Sequence, residues 1–442
     1  MTFAHALRAL CAGALVLVVP CAPCPAAESA APSPTEHLAR LADATESVRG
    51  LKFKEPVRFV RMGEAAALKV IEGELDQQLP PDETAKRVQL LAYLGLLPPD
   101  YPLRDKLRAL LGEQVLGFYV PQRKQLVVIE LGPEKLAALQ AASGGVGDPA
   151  DIVLVHELDH ALNDQRFDLG RILEDPQVKR RDDVAFARQA LAEGDATLTM
   201  LIYAFRGMGL NPSPEAFPSG DALRALMQGV GPAGFPEFAK APPFVRAMLM
   251  EPYSLGIDYV TTLWRKGGWK AVDAAWAAPP SSTEQLMHPD RRSDPPRDVA
   301  VNVPAGWTEV IGTDLGELGI RTWLGDDPLA AKVADGWGGD RAVLIEQPRR
   351  PQPGEKRGKW PEKDRALLLV TTWDTREDAD EFAAAAERWL RRTAKDEDDW
   401  RIDQAQHDVR VFFHRALVPE EIVDPIGHDP WDRPASTLEK PK

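Results

Sequence analysis

The sequence predicts an α+β protein built from two domains, a mainly helical one followed by a smaller one that mixes helices and strands. Three observations support this prediction. The chain has 442 residues, more than a single typical core accommodates. Apolar residues recur at three- and four-residue spacing through most of residues 36–276. Beyond a Pro-rich stretch that ends near residue 298, short apolar runs typical of strands become frequent.

The first 27 residues have the features of a secretory signal peptide. Arg8 lies in a short leading region, an apolar run extends from about Leu10 to Val19, and the small residues "PAA" precede Glu28. All three cysteines lie inside this segment, so the exported chain would have neither disulfides nor thiolate ligands. We expect a periplasmic or extracellular protein with no stable membrane span after cleavage. An uncleaved segment that tethers the chain to the membrane is the alternative.

The composition limits the class of partner. The formal charge is −14, and the sequence has no basic clusters, which argues against nucleic acid as the main partner. Apolar residues make up 44% of the chain and charged residues 27%, the proportions of an ordinary globular protein with enough material for a core.

The first predicted domain covers residues 28–297. From residue 36 to about 111 the apolar spacing predicts helices, interrupted by proline pairs at 80–81 and 98–99. The stretch "VLGFYVPQRKQLVVIEL" then predicts two strands around a turn at Pro121–Lys124. Further helices extend to about Trp276.

The second predicted domain covers residues 298–442 and has an α+β pattern without a catalytic constellation. "DRAVLIEQ", "RALLLVTTW" and "HDVRVFFHRAL" predict strands. "TREDADEFAAAAERWLRR" predicts a helix that Thr375 caps, with acidic residues in its first turn.

Residues 151–164, "DIVLVHELDHALND", place ionisable groups in a segment with the apolar spacing of a buried helix, for which Asp151 is the predicted N-cap. His156 and His160 would lie one turn apart on the same helix face and could bind one ion. Glu157 is rotated about 100° from His156, so it is placed to accept a proton from a metal-bound water. This H-E-x-x-H spacing is typical of zinc-dependent hydrolases. The alternative is a structural histidine pair that backbone carbonyls satisfy.

A catalytic zinc site needs a third protein ligand and an open position. The downstream candidates are Asp164, Asp168, Glu174, Asp175, Asp182, Asp183, Glu193 and Asp195. In the predicted helix "DVAFARQALAEGDATLTMLIYAF", Glu193 lies off the polar stripe, beside small residues where another helix can approach closely. Asp195 lies about 200° away, on the polar face. We therefore predict one Zn²⁺ per chain, bound by His156, His160 and Glu193.

These residues carry a resemblance to a known family. "HELDH", followed 33 residues later by "EGDA", resembles the gluzincin zinc metallopeptidases, whose second helix supplies a glutamate ligand. More narrowly, the segments "GFYVPQRKQLVVI", "HELDHALNDQRFDL", "ALAEGDATLTM", "STEQLMHP" and "GWGGDR" are similar to a group of largely uncharacterised secreted bacterial metallopeptidase-like proteins. The resemblance covers roughly residues 110–385. It implies a zincin-like first domain, with Glu157 as the catalytic base and an edge strand in the "GFYV" hairpin on which an extended peptide pairs.

One departure from the family pattern concerns the groups around the ligands. Thermolysin-like members have an aspartate four residues after the ligand glutamate, where it orients a histidine, whereas this chain has Thr197. Asp195 and Asp164 are the candidate replacements. Tyr203, Tyr253 and His288 are candidates for the group that stabilises the transition state. Core packing is the alternative for the two tyrosines, and a turn position is the alternative for His288.

Two functions follow from the sequence. The first is an exported zinc peptidase that hydrolyses peptide bonds in a peptide or protein substrate, with Glu157 as general base. The second is a non-catalytic, zinc-stabilised binding or assembly factor of the cell envelope. The glutamate at position 157 favours the enzyme, because a purely structural zinc site gains nothing from a carboxylate there.

Overall fold

The computed structural model describes residues 33–114, 116–132, 148–175, 181–213, 217, 236–348, 363–393 and 399–413. The predicted signal peptide lies outside the described residues. Within them the protein is α+β, which confirms the predicted class. The helices are α1 Pro34–Arg49, α2 Glu64–Gln78, α3 Pro81–Tyr93, α4 Leu103–Gln114, α5 Pro149–Phe167, α6 Leu169–Glu174, α7 Asp182–Gly207, α8 Pro236–Lys240, α9 Pro243–Ala277, α10 Thr283–Met287, α11 Gly316–Leu324, α12 Ala330–Ala334 and α13 Arg376–Thr393. The strands are β1 Arg58–Gly63, β2 Gly117–Val120, β3 Gln125–Glu130, β4 Thr308–Thr313, β5 Trp337–Pro348, β6 Lys363–Trp373, β7 Trp400–Ala405 and β8 Asp408–Phe413.

We call the described residues up to 297 the first unit and those from 298 to 413 the second unit. A three-stranded sheet in the order β1-β3-β2 accompanies the helices of the first unit. The predicted hairpin is confirmed, because β2 and β3 pair antiparallel around a short 3₁₀ turn at Pro121–Arg123. Strand β1 pairs parallel with β3, although its residues fall in a stretch predicted to be helical. This parallel pairing joins segments far apart in sequence, which local apolar spacing cannot reveal. Strand β2 is left at one edge of the sheet.

Helix α7 packs against both α5 and α9 in the first unit. The closest approach is between α7 and α9 at two glycines. A Cβ atom on Gly194 would lie 2.1 Å from the carbonyl oxygen of Gly256, and a Cβ on Gly256 would lie 2.2 Å from the carbonyl oxygen of Ala190. Only residues without side chains permit this approach, as the small-residue surface beside Glu193 predicted.

The second unit is a five-stranded antiparallel sheet in the order β4-β5-β6-β8-β7. Helix α13 packs against it, with Phe382 stacked on Trp373 at 4.5 Å between ring centroids. The predicted cap of α13 is confirmed, because the Asp378 amide donates to the Thr375 hydroxyl at 3.1 Å. The outer strands β4 and β7 were not predicted, since they are short and only partly buried.

The second unit also holds the start of α7. The Asp183 amide, in the first turn of that helix, donates to Asp314 Oδ1 at 2.9 Å. Arg181 Nε donates to the other oxygen of Asp314, also at 2.9 Å. A carboxylate from the second unit thus caps the helix that carries Glu193, and it satisfies an amide that the helix itself leaves unpaired.

Across the described ranges, no helix combines the length and the apolar character needed to cross a bilayer.

Candidate metal centre

Helix α5 carries the two histidines through the interior of the first unit. Its N-cap is Asp148, whose side chain accepts from the Ala150 amide at 3.0 Å, with Pro149 as the first helical residue. The predicted N-cap, Asp151, was therefore wrong by one turn. Asp151 instead pairs with His37 Nε2 at 2.6 Å. Every residue of α5 from 152 to 164 is buried, so its polar side chains must find partners inside the protein.

The side chains of His156, His160 and Glu193 converge between α5 and α7. The Nε2 atoms of the two histidines are 3.1 Å apart, and Glu193 Oε2 lies 3.2 Å from His156 Nε2 and 3.6 Å from His160 Nε2. Donors held at about 2.0–2.2 Å from one ion in tetrahedral geometry are about 3.3–3.5 Å apart. The triangle of donor atoms therefore has about the size that a tetrahedral zinc site requires.

The electrostatics of this triangle favour a cation. Burial opposes ionisation of Glu193, but the neighbouring His160 charge and hydrogen bonds to both histidines outweigh burial and lower the Glu193 pKa to about 2. Burial also opposes protonation of His160, yet the Glu193 carboxylate raises the His160 pKa to about 9. Burial lowers the pKa of His156. A buried site that stabilises an extra proton on one imidazole has the field that stabilises a metal ion.

Glu157 lies beside this triangle with one oxygen bound and the other free. Its Oε2 accepts from the Tyr119 amide at 2.8 Å. Its Oε1 is buried and has no hydrogen-bond partner among the described residues. Burial, helped by the Glu193 charge and opposed by His160 and the Tyr119 amide, raises the Glu157 pKa to about 8. The free oxygen is thus available to a water molecule at the centre.

Strand β2 is fixed along α5 at two points by one residue. The Tyr119 amide binds Glu157, and the Tyr119 hydroxyl donates to Asp164 Oδ2 at 2.7 Å. Glu157 and Asp164 are seven residues apart, which is two turns on one helix face. Asp164 therefore holds Tyr119 rather than a histidine ring, which corrects the role considered for it from the sequence.

Asp195 also has a different role from the one considered. Both of its oxygens accept from Arg49, at 2.8 and 3.0 Å, and Trp276 Nε1 and Asn163 Nδ2 donate to it at 2.6 and 3.2 Å. Arg49 is fully buried at the end of α1 and also binds Asp273 at 2.7 Å. This network of hydrogen bonds joins α1, α5, α7 and α9. Sequence reasoning missed it, although two polar residues one turn apart on α5, Asp159 and Asn163, were a signal.

The second ring nitrogen of each histidine, Nδ1, is not held by a hydrogen bond in the described part of the chain. Neither His156 Nδ1 nor His160 Nδ1 has a hydrogen-bond partner there, and the buried hydroxyl of Thr197 has none either. Metal-bound histidines usually donate this second nitrogen to a carboxylate, a carbonyl or a water. Thr197, four residues after Glu193, does not supply this partner to either ring.

The three candidates for transition-state stabilisation lie in different places. Tyr253 is buried and stacks on His156, with 6.2 Å between ring centroids. Tyr203 is ten residues beyond Glu193 on α7, roughly 15 Å along the helix, and it does not line the cavity at the centre. His288 binds Glu317 at 3.0 Å and Asp335 at 3.1 Å, both in the second unit. Of the three, only Tyr253 touches a predicted ligand.

A cavity of about 60 Å³ opens beside the centre. Glu157, His160 and Glu193 line one side, and residues 118–122 of the β2 hairpin line another. Apolar side chains complete much of the wall: Ile71, Leu169, Leu173 and Ala192. The cavity has room for a few water molecules.

Comparison with known proteins reaches only the second unit. A domain of unknown function (DUF8575) matches residues 308–418. The match begins at the first residue of β4 and includes all five strands of the second sheet, but none of the residues around His156. The chain matches no curated protein and no solved structure.

Proposed function

We propose that the protein is a zinc-dependent peptidase of gluzincin type whose metal is held by His156, His160 and Glu193. The observation that carries this proposal is the buried triangle of their donor atoms, with edges of 3.1, 3.2 and 3.6 Å. Thiolates are not involved, and two imidazoles with one carboxylate are the donor set of many catalytic zinc sites. A zinc ion held there would supply a Lewis acid that polarises a peptide carbonyl and activates a water molecule.

Glu157 is the general base in this proposal. Its Oε1 has no partner among the described residues. Beside a bound cation its pKa would fall below the value of about 8 that burial gives it, so it can accept a proton from a water molecule and later deliver it to the leaving amine. Its Oε2 is held by the Tyr119 amide, which fixes the direction in which Oε1 points. A structural zinc site would have no need of such a group.

A peptide substrate is supported by the position of β2. This strand is at the sheet edge and lines the cavity together with Glu157 and His160. Its four residues are buried and the Tyr119 amide is bound by Glu157, so a peptide could pair with the rest of this edge only after the cavity walls move apart. An extended peptide that pairs with such an edge has its backbone fixed by main-chain hydrogen bonds. The active-site helix beside an edge strand, with a second helix supplying the glutamate, is also the basis on which we propose a zincin-like fold for the first unit.

One observation favours the non-catalytic alternative. The cavity of about 60 Å³ is far smaller than the 300 Å³ or more of a usual ligand pocket. Peptide cleavage requires the walls around β2 and α6 to move apart. A zinc-stabilised binding or assembly factor would not require that movement.

Substituting Glu157→Gln separates the two functions. The amide keeps the size of the carboxylate but is not a base at neutral pH, so turnover of a peptide library should fall by about 10²–10⁴. Zinc content and melting temperature should stay close to wild type. Glu130→Gln, at an exposed end of β3, is the matched control and should leave all three unchanged. A wild type that binds zinc but cleaves no peptide would favour the binding factor, and a Glu157→Gln variant that cleaves at the wild-type rate would exclude the mechanism.

Export is part of this proposal. Mass spectrometry of protein from an envelope or medium fraction should find a chain that lacks about its first 27 residues and all three cysteines. An intact N-terminus on protein in a cytoplasmic fraction would contradict it.

A further inference from the structure

A second group of metal-ligand side chains lies at the junction of the two units. We call it the junction cluster and define it as His288, Glu317 and Asp335. His288 directly follows α10, Glu317 is in the first turn of α11, and Asp335 directly follows α12. His288 Nε2 lies 3.0 Å from Glu317 Oε1 and 3.1 Å from Asp335 Oδ1, and the three donor atoms all lie within 4.8 Å of one another.

One oxygen of Glu317 is left without a partner. The Glu317 side chain is only 1% exposed, and its Oε2 is buried with no hydrogen-bond partner among the described residues. An ionised carboxylate that is removed from water and half satisfied costs several kcal/mol of stability unless a positive charge compensates it. The unpaired oxygen can still accept from a ligand, and a positive charge bound beside it would offset this cost.

The charges that face the cluster are unbalanced. Glu317, Asp335 and the buried Glu284 contribute three carboxylates, and Arg291 contributes one fixed positive charge. With His288 neutral, the formal charge of these groups is −2, which equals the charge that a divalent cation neutralises. Arg291 donates to Asp335 Oδ1 at 3.0 Å and to Glu284 Oε1 at 3.2 Å, an arrangement that fixes the orientation of a ligating carboxylate.

From this geometry we propose that the junction cluster binds a first-row divalent cation. One imidazole and two carboxylates form a mixed nitrogen and oxygen donor set that suits Zn²⁺ or Mn²⁺. Asp335 is half exposed, so water can complete the coordination from the solvent side. The cation would join the end of the first unit to α11 and α12 of the second. This proposal does not depend on the peptidase activity, and it adds a second ion to the one at His156.

The test starts from His160→Ala/Glu193→Ala protein, in which the first centre is removed. Equilibrium dialysis with Zn²⁺, and separately with Mn²⁺, should still find one bound ion per chain. Adding Glu317→Gln should weaken that binding by roughly 100-fold or more, because a neutral amide replaces an anionic ligand. The matched control is Glu309→Gln, an exposed glutamate of the same unit, which should leave the affinity unchanged.

If the double variant does not fold, the count is made on the wild-type chain, where we expect two ions, and on its Glu317→Gln variant, where we expect one. Failure to find a second ion, or an affinity that Glu317→Gln leaves unchanged, would overturn the proposal. The cluster would then be an ion-pair network around a protonated His288. Loss of peptide cleavage in any variant bears only on the first centre, so the two proposals fail separately.

Discussion

Replacing Gly194 with alanine tests how Glu193 is brought to the two histidines. The added Cβ would lie 2.1 Å from the Gly256 carbonyl oxygen, 2.3 Å from its carbonyl carbon and 2.8 Å from its Cα. All three are backbone atoms of α9, so no side-chain rotation relieves the contact. Helices α7 and α9 must separate by about an ångström to restore ordinary van der Waals distances.

The expected cost is large for a single methyl group. Overpacking a close-packed interior destabilises by about 1–3 kcal/mol, occasionally more, and a contact with backbone belongs at the upper end. At about 2–4 °C per kcal/mol, the range for domains of about 150–250 residues, Gly194→Ala should melt at most about 6–12 °C below wild type. Because Glu193 is the preceding residue of α7, the same displacement should move its carboxylate off the triangle and weaken zinc binding.

The assay is a thermal melt together with a zinc titration, and Gly207→Ala is the control. Gly207 is on the same helix, and a Cβ there would meet nothing within 4 Å. Alanine in place of a helical glycine should leave stability unchanged or raise it by up to about 1 kcal/mol. If Gly194→Ala melts like wild type and binds zinc as tightly, then the glycine contact does not position Glu193.

Three further outcomes follow from the structure. Chelating the zinc should lower the melting temperature of wild type by more than that of His160→Ala, since the variant has already lost the binding energy of the first centre; equal shifts would place the metal elsewhere. Tyr119→Phe removes the hydrogen bond to Asp164, so kcat should fall while the zinc content is kept. The control is Tyr259→Phe, because the buried Tyr259 hydroxyl has no partner among the described residues. Equal kcat values for both variants would contradict a role of the Tyr119–Asp164 hydrogen bond in holding β2 along α5. Burial, aided by the Asp314 charge, raises the pKa of Asp340 to about 7. Between about pH 4 and 7 the folded state therefore binds this proton more tightly than the unfolded chain, and the stabilisation is lost as pH rises through 7. The free energy of unfolding in urea should fall more steeply from pH 5 to pH 8 in wild type than in Asp340→Asn. Equal slopes would refute this assignment.

The parts of the fold that local sequence determines were predictable. The β2–β3 hairpin follows from two apolar runs around a proline turn, and the cap of α13 follows from a threonine before an acidic first turn. The pairing of His156 with His160 needs only the helical repeat. Strands β1 and β4 were missed because their partners are distant in sequence, and β7 was missed because its own residues are only partly buried.

The surroundings of the site could not be predicted for a related reason. Tyr119 reaches Glu157 and Asp164 only because β2 packs along α5, and Arg49 reaches Asp195 across 146 positions of sequence. A one-dimensional pattern shows which face of a helix is polar, but not which element covers that face. This is why the sequence offered Asp164 and Asp195 as groups that orient the histidines, whereas the structure pairs them with a tyrosine and an arginine.

A crystal structure of the zinc-loaded protein tests the central claim most directly. We predict one zinc ion bound at about 2.0–2.2 Å by His156 Nε2, His160 Nε2 and a Glu193 carboxylate oxygen, with Glu157 not bound to the metal and its Oε1 within hydrogen-bond distance of a water molecule. The absence of zinc from this centre, or zinc bound there by Glu157 in place of Glu193, would contradict the account.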